Sequence, residues 1–143
     1  MGTERSIAQL GAAIVGVVYV GAGLIGFAIT GFGGFVTDTG DTLLGFDINP
    51  FHNVVHLGIG AYLLLAARLG RTATEGALIG GGIFYLLAAY LGFENRLQII
   101  SISDALASDQ FLHIASGVTA LGLGLVSSLV GRSEGSGDSV QKA

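Results

Sequence analysis

Three histidines are the residues in this chain best suited to chemistry. His52 and His56 lie in "NPFHNVVHLGIG", four residues apart, and His113 lies in "SDQFLHIASG". Histidines at i and i+4 share one helical face and can bind one metal ion. With Asp109 and His113, the pair could complete a zinc or copper shell. Alternatively, His56 and His113 could be axial ligands of a b-type haem, with Gly60 and Gly117 leaving room for the ring. The third possibility is that the imidazoles act only as hydrogen-bonded links between helices, and it is the preferred one. Polar side chains joining membrane helices contribute about 1 kcal/mol each.

The elements that position these histidines are apolar. Of 143 residues, 51% are hydrophobic and only 11% are charged, too few charges for an ordinary soluble domain. Four segments are long enough to cross a bilayer as helices: about 7–30, 50–69, 77–93 and 107–130. The third is the shortest and is expected to extend into its flanks. The first is too long for a signal peptide and lacks a convincing cleavage site. The 25 glycines have no collagen period and sit mostly inside apolar runs. Gly16, Gly23, Gly26 and Gly80 to Gly82 read as packing residues that let backbones approach. The absence of cysteine rules out disulfides and thiolate metal sites. A net charge of −4 without a basic cluster gives no case for nucleic acid.

The chain repeats itself. "YVGAGLIGF" starting at Tyr19 matches "YLLAAYLGF" starting at Tyr85, at an offset of 66 residues. His56 to Gly60 matches His113 to Gly117 at an offset of 57, and Leu64 matches Leu121. The predicted fold is all-α: a four-helix transmembrane bundle of two tandem, parallel-repeat helical hairpins. Its pseudo-two-fold axis would stand along the membrane normal. One domain covers residues 1–130, and residues 131–143 form a polar Gly/Ser-rich tail expected to be disordered.

Arg5, Arg68, Arg71, Arg132 and Lys142 fall on one side of this topology and Arg96 alone on the other. The positive-inside rule then places both termini in the cytoplasm of a multi-pass plasma-membrane protein. Asp38, Asp41, Asp47, Glu94 and Asp104 fall in the outer loops. Phe32, Phe35, Leu43, Leu44 and Phe46 of the first outer loop are expected at the membrane surface or capping the bundle.

Asn49-Pro50 is a strong helix start, since asparagine caps free amides and proline fits the first turn. That puts His52 at the outer rim and His56 one turn deeper. By repeat position, His52 corresponds to Asp109 and Asn53 to Gln110. Intramembrane polar groups seek the bundle interior and each other. The expected result is a polar cluster of Asn49, His52, Asn53, His56, Asp109, Gln110 and His113 in the outer half, its deeper imidazoles neutral next to helix N-termini. For Tyr19 and Tyr85, near mid-membrane, the expected role is a hydroxyl bonded to neighbouring backbone or to the other tyrosine, in preference to a redox role that would also require haem.

Enzyme signatures fail. "GLIGFAITGFGG" has glycine spacings like a nucleotide loop, but it follows no strand. No Gly-x-Ser-x-Gly is present, and Ser116 has no exposed turn. A proton, ion or solute path is the second alternative to a structural role; against it, no charged residue lies near the middle of any span, where a relay would need one.

The stretches "LLGFDINPFHNVVHLGIGAYLLLAAR" and "SDQFLHIASGVTALGLGL" resemble a family of small bacterial four-span membrane proteins, the domain of unknown function four-three-eight-three. Its Asn-Pro-x-His-Asn-x-x-His pattern is matched by Asn49, Pro50, His52, Asn53 and His56, and its Leu-His by Leu112 and His113. The resemblance implies fold and membrane location and supplies no activity. The reading is a structural or accessory membrane component, not an enzyme, with no cofactor expected. Its partners would be the lipid bilayer and either other membrane proteins or further copies of itself. Haem b or zinc or copper is the alternative.

Overall fold

The computed structural model describes the backbone of residues 5–141 and the side chains of 5–131. Lys142 lies outside the described residues, and so does the Arg132 side chain. The chain runs through α1 (Ile7–Thr30), a short hairpin of β1 (Thr42–Leu43) and β2 (Phe46–Asp47), then α2 (Pro50–Leu69), α3 (Arg71–Phe93) and α4 (Ser108–Gln141). A single 3-10 turn, Gln98–Ile100, interrupts the loop between α3 and α4; this loop and the one between α1 and α2 meet at one end of the bundle, and 'outer' denotes that end alone. All four helices are long and apolar enough to span a membrane.

Helix ends follow from local chemistry. Ser6 and Gln9 form a capping box: Gln9 N–H donates to Ser6 Oγ at 3.2 Å, and Ser6 N–H donates to Gln9 Oε1 at 3.1 Å. Asn49 caps α2 by accepting from His52 N–H at 2.8 Å, and Pro50 takes the first turn. Between α2 and α3 there is one residue, Gly70, at φ 115°. That backbone favours glycine, and it lets α3 start at Arg71, six residues before the expected start at 77. Thr74 Oγ1 secures the joint, lying 2.7 Å from Gly70 O and 2.9 Å from Ala66 O.

α1 packs chiefly on α2, and α3 chiefly on α4, so the two hairpins are the packing units. Their crossings are made by glycines at repeat-related positions. A Cβ on Gly60 would lie 2.7 Å from Gly16 O, and one on Gly82 would lie 2.8 Å from Gly117 O. Gly16 and Gly82 are 66 residues apart, and Gly60 and Gly117 are 57 apart, the offsets found in the sequence. Leu64 against Gly16 and Leu121 against Gly82 repeat the pattern. Between hairpins, toward the inner end, Ala8, Ala12, Leu63, Ala66, Ala77 and Leu78 form a buried core.

Two features differ from expectation. The first outer loop contains an antiparallel β-hairpin, with Thr42 opposite Asp47 and Leu43 opposite Phe46. Its turn residues Leu44 and Gly45 both have positive φ, 57° and 86°, as a two-residue type I′ turn requires. Leu44 and Phe32 are exposed, while Leu43 and Phe46 are half-buried beneath the hairpin. The second difference is the tail. Its backbone is helical through Gln141, so α4 runs past the end expected at 130. Extending a formed helix avoids the cost of nucleation, and no proline stops α4.

Candidate functional site

The polar residues of the first turns of α2 and α4 meet beneath the outer loops. Asn49, His52, Asn53, Asp109, Gln110 and His113 are buried, and His56 is half-buried. Buried polar groups need partners, and most of these find them in the loops. Asn49 Nδ2 donates to Thr37 O at 3.1 Å and to Ile99 O at 3.0 Å, one carbonyl from each outer loop. His52 Nδ1 lies 2.8 Å from Asp47 O. A carbonyl only accepts, so this nitrogen carries the proton. Asp47 N–H in turn donates to Asp109 Oδ2 at 3.2 Å. His52 and Asp109 therefore do not touch as a pair; they hold the same residue of β2 from two sides. Ser108 Oγ adds a bond to Gly45 O at 2.9 Å, fixing the hairpin turn to α4.

The outer acids complete the cap. Asp38 accepts from Ser101 Oγ at 3.1 Å and Ser103 Oγ at 2.9 Å, tying the first outer loop to the second. The Gly40 N–H, then these two hydroxyls, hold its carboxyl below the usual carboxylate range. Asp47 is pushed the other way, by partial burial first and then by the nearby charges of Asp38 and Asp104.

Asn53 and Gln110 are seated alike. Asn53 Nδ2 donates to Thr30 Oγ1 at 3.0 Å, and Gln110 Nε2 donates to Asp104 O at 3.2 Å. The rest of each amide lies in the space a side chain would occupy on Gly26 or Gly92, and a Cβ there would collide with it. Gly26 and Gly92 are again 66 residues apart, and Asn53 and Gln110 are 57 apart.

Deeper in the bundle the pattern changes from hydrogen bonds to ring contacts. His52 lies 4.5 Å from His56 between ring centroids, and His56 lies 5.3 Å from Tyr19. Tyr19 lies 5.8 Å from Tyr85, and Tyr85 lies 5.6 Å from His113. Tyr19–His56 and Tyr85–His113 are thus the same contact in the two hairpins, joined where the tyrosines meet. The hydroxyls differ. Tyr19 Oη donates to Ser116 Oγ at 3.3 Å, whereas among the described residues Tyr85 Oη makes no well-formed hydrogen bond and meets the Tyr19 side chain instead. The repeat explains this: the position matching Ser116 is Ile59, which has no hydroxyl to offer. The Nδ1 atoms of His56 and His113 are likewise buried without a partner.

Beside this row of rings lies a cavity of about 720 Å³ between the hairpins. Its wall is mostly aliphatic, and Leu43, Leu44, Phe46 and Ile48 lie at its outer end. His52, His56, His113, Asp109, Tyr19 and Tyr85 also line it.

The residues expected to form a metal shell share this region but not a centre. Among the described residues no group of three or more His, Cys, Asp or Glu is arranged to hold an ion. His52 Nδ1 and Asp109 Oδ2 are directed at Asp47. For haem, a ligating imidazole normally donates its other ring N–H to a carboxylate or carbonyl. Neither His56 nor His113 has such a partner on Nδ1. Sequence reasoning did not find the roles of Asp47, Thr30 and Ser116. The acids were visible only as loop charges, and no local motif marks a backbone amide or a lone hydroxyl as a partner.

A family model described as Domain of unknown function (DUF4383) matches residues 9–126. That range reaches into all four helices and includes every cluster residue. No curated protein and no solved structure matches the chain.

Proposed function

The chain belongs to the DUF4383 family of unknown function, and on that premise we propose that it is a structural or accessory membrane component without catalytic activity. Its polar cluster holds a folded cap on the outer face of the bundle. One observation carries this reading: Asn49, at the start of α2, bonds to both outer loops. His52, Asp109 and Gln110 also spend hydrogen bonds on loop backbone. Groups committed in this way are used for architecture, not held ready for a substrate.

The membrane is the plasma membrane, and the termini face the cytoplasm. Arg5, Arg68 and Arg71 lie at the end opposite the acidic cap, as the positive-inside rule requires. Partners are lipid and either other membrane proteins or further copies of the chain. The missing Nδ1 partners of His56 and His113 favour this reading over a haem or metal protein. The positions of Arg68, Arg71, Glu75 and Asp109 near helix ends, among the described residues, disfavour an ion path.

Elemental analysis and a visible spectrum of mildly purified protein test this against the alternative, with a His56→Ala/His113→Ala double variant alongside. The expected result is no stoichiometric iron, zinc or copper in either sample. Near-stoichiometric metal in the wild type that disappears in the variant would overturn the proposal.

A further inference from the structure

Two cap oxygens, Asn53 Oδ1 and Gln110 Oε1, are buried without a partner where the amides pack against Gly26 and Gly92, and three further groups deeper in the bundle are unused as well. Among the described residues neither His56 nor His113 makes a hydrogen bond through its ring, and both have a buried, unpartnered Nδ1. The third is the Tyr85 hydroxyl, without a well-formed hydrogen bond on a side chain only 8% exposed. All three residues line the cavity between the hairpins. Orphaned polar groups in a low-dielectric interior are costly, so their occurrence around one cavity needs a reason.

We propose that this cavity is a binding site for a lipid-soluble quinone. Four observations select that class. The cavity volume of about 720 Å³ falls in the range that takes a small molecule and buries most of it. The largely aliphatic wall suits an isoprenoid or alkyl tail. Among the described residues no Lys or Arg lines the cavity, so nothing there would neutralise a phosphate or a fatty-acid carboxylate. Finally, the imidazoles are related by the repeat and flank the meeting tyrosines, so hydrogen-bonding groups converge from both hairpins. A flat ring with a carbonyl at each end matches such a two-sided arrangement, and Tyr19 and Tyr85 offer aromatic surface to the ring. A sterol-like alcohol would satisfy one side only. The proposal concerns binding and includes no electron transfer.

The test is titration of the detergent-solubilised full chain with a decyl-tailed benzoquinone, followed by quenching of tyrosine fluorescence. The chain contains no tryptophan to obscure that signal. Saturable binding is expected in the wild type, weakened about tenfold in His56→Leu/His113→Leu, the size of effect that loss of one or two hydrogen bonds produces. Because the double variant alters buried positions, Gly81→Leu is the second probe. Gly81 lines the cavity and a Cβ there meets nothing within 4 Å, so this change fills space without disturbing a helix crossing. It is expected to abolish binding at an unchanged melting temperature. Absence of saturable binding to folded wild type, or binding undiminished in folded Gly81→Leu, would overturn the proposal. So would mass spectrometry finding phospholipid in the native protein that excess quinone fails to displace. Metal-free protein would support the proposed structural role whichever way this titration came out.

Discussion

His52 and Asp109, equivalent positions in the two hairpins, grip one residue from opposite sides. His52 donates to the Asp47 carbonyl, and Asp109 accepts from the Asp47 amide. The repeat supplies a donor in one half and an acceptor in the other, as the carbonyl and the amide of one residue need. His52→Ala and Asp109→Ala are each expected to lower stability by about 1 kcal/mol, the size found for polar contacts in membrane helices. Asp109→Asn keeps an acceptor oxygen and should cost less than Asp109→Ala. Reversible unfolding in mixed micelles measures this; equal losses for Asn and Ala would remove the hydrogen bond from the account.

The glycine crossings give a prediction with an internal control. At Gly60 and Gly82 a methyl group would meet facing backbone at 2.7 Å, whereas at Gly58 and Gly122 it would meet nothing within 4 Å. Alanine at the first two positions is expected to destabilise by about 1–3 kcal/mol through overpacking. At the latter two it should be neutral or stabilising by up to about 1 kcal/mol, from helix propensity. The same unfolding assay checks both signs, and a uniform effect across the four sites would contradict the packing described.

Tyr19 and Tyr85 should respond differently to the same change. Tyr19→Phe removes the bond to Ser116 and should cost about 0.6 kcal/mol. Tyr85→Phe removes a hydroxyl that makes no well-formed hydrogen bond, so stability should hold or rise. Equal losses in thermal melts would show that Tyr85 has a partner after all.

The two outer carboxylates give opposite pH dependences. Asp38 has a lowered folded-state pKa, so its contribution is present above the ordinary carboxylate range and is lost as pH falls through the lowered value. Asp47 has a raised one, so stability falls as pH rises through that value. Both effects are small because both groups are largely solvated. Hydrogen exchange at residues 99–103 should rise in acid in the wild type and be raised at every pH in Asp38→Ala. Asp47→Asn should be slightly more stable than the wild type at neutral pH. A wild-type-like exchange profile in Asp38→Ala would count against the Ser101 and Ser103 bonds.

Much of this was legible because it is periodic or local. Proline after asparagine marks the start of α2 at Pro50, and the matching Tyr and His spacings disclose the hairpin repeat. The offsets of 66 and 57 reappear in the packing of Gly16 on Gly60 and of Gly82 on Gly117. The identity of the cluster residues was legible too, since polar side chains in apolar runs are conspicuous. Their partners were not. Asn49 reaches carbonyls at Thr37 and Ile99, and any residue supplies a carbonyl, so sequence carries no mark of it. The β-hairpin was hidden because its two-residue strands are too short to show alternation, and Leu44 is an unusual residue for positive φ. Gly70 as a one-residue joint was hidden because the polar stretch after it reads as loop, although it forms the first turns of α3.

Asn49 binds both outer loops to the start of α2. Amide hydrogen exchange of the wild type and Asn49→Ala, in one detergent and at one pH, tests it directly. Protection is expected to fall together in residues 31–48 and 95–107, while the middles of α1 to α4 keep theirs. Unchanged protection in both loops, or loss confined to one of them, would contradict the claim that Asn49 ties both loops to the bundle.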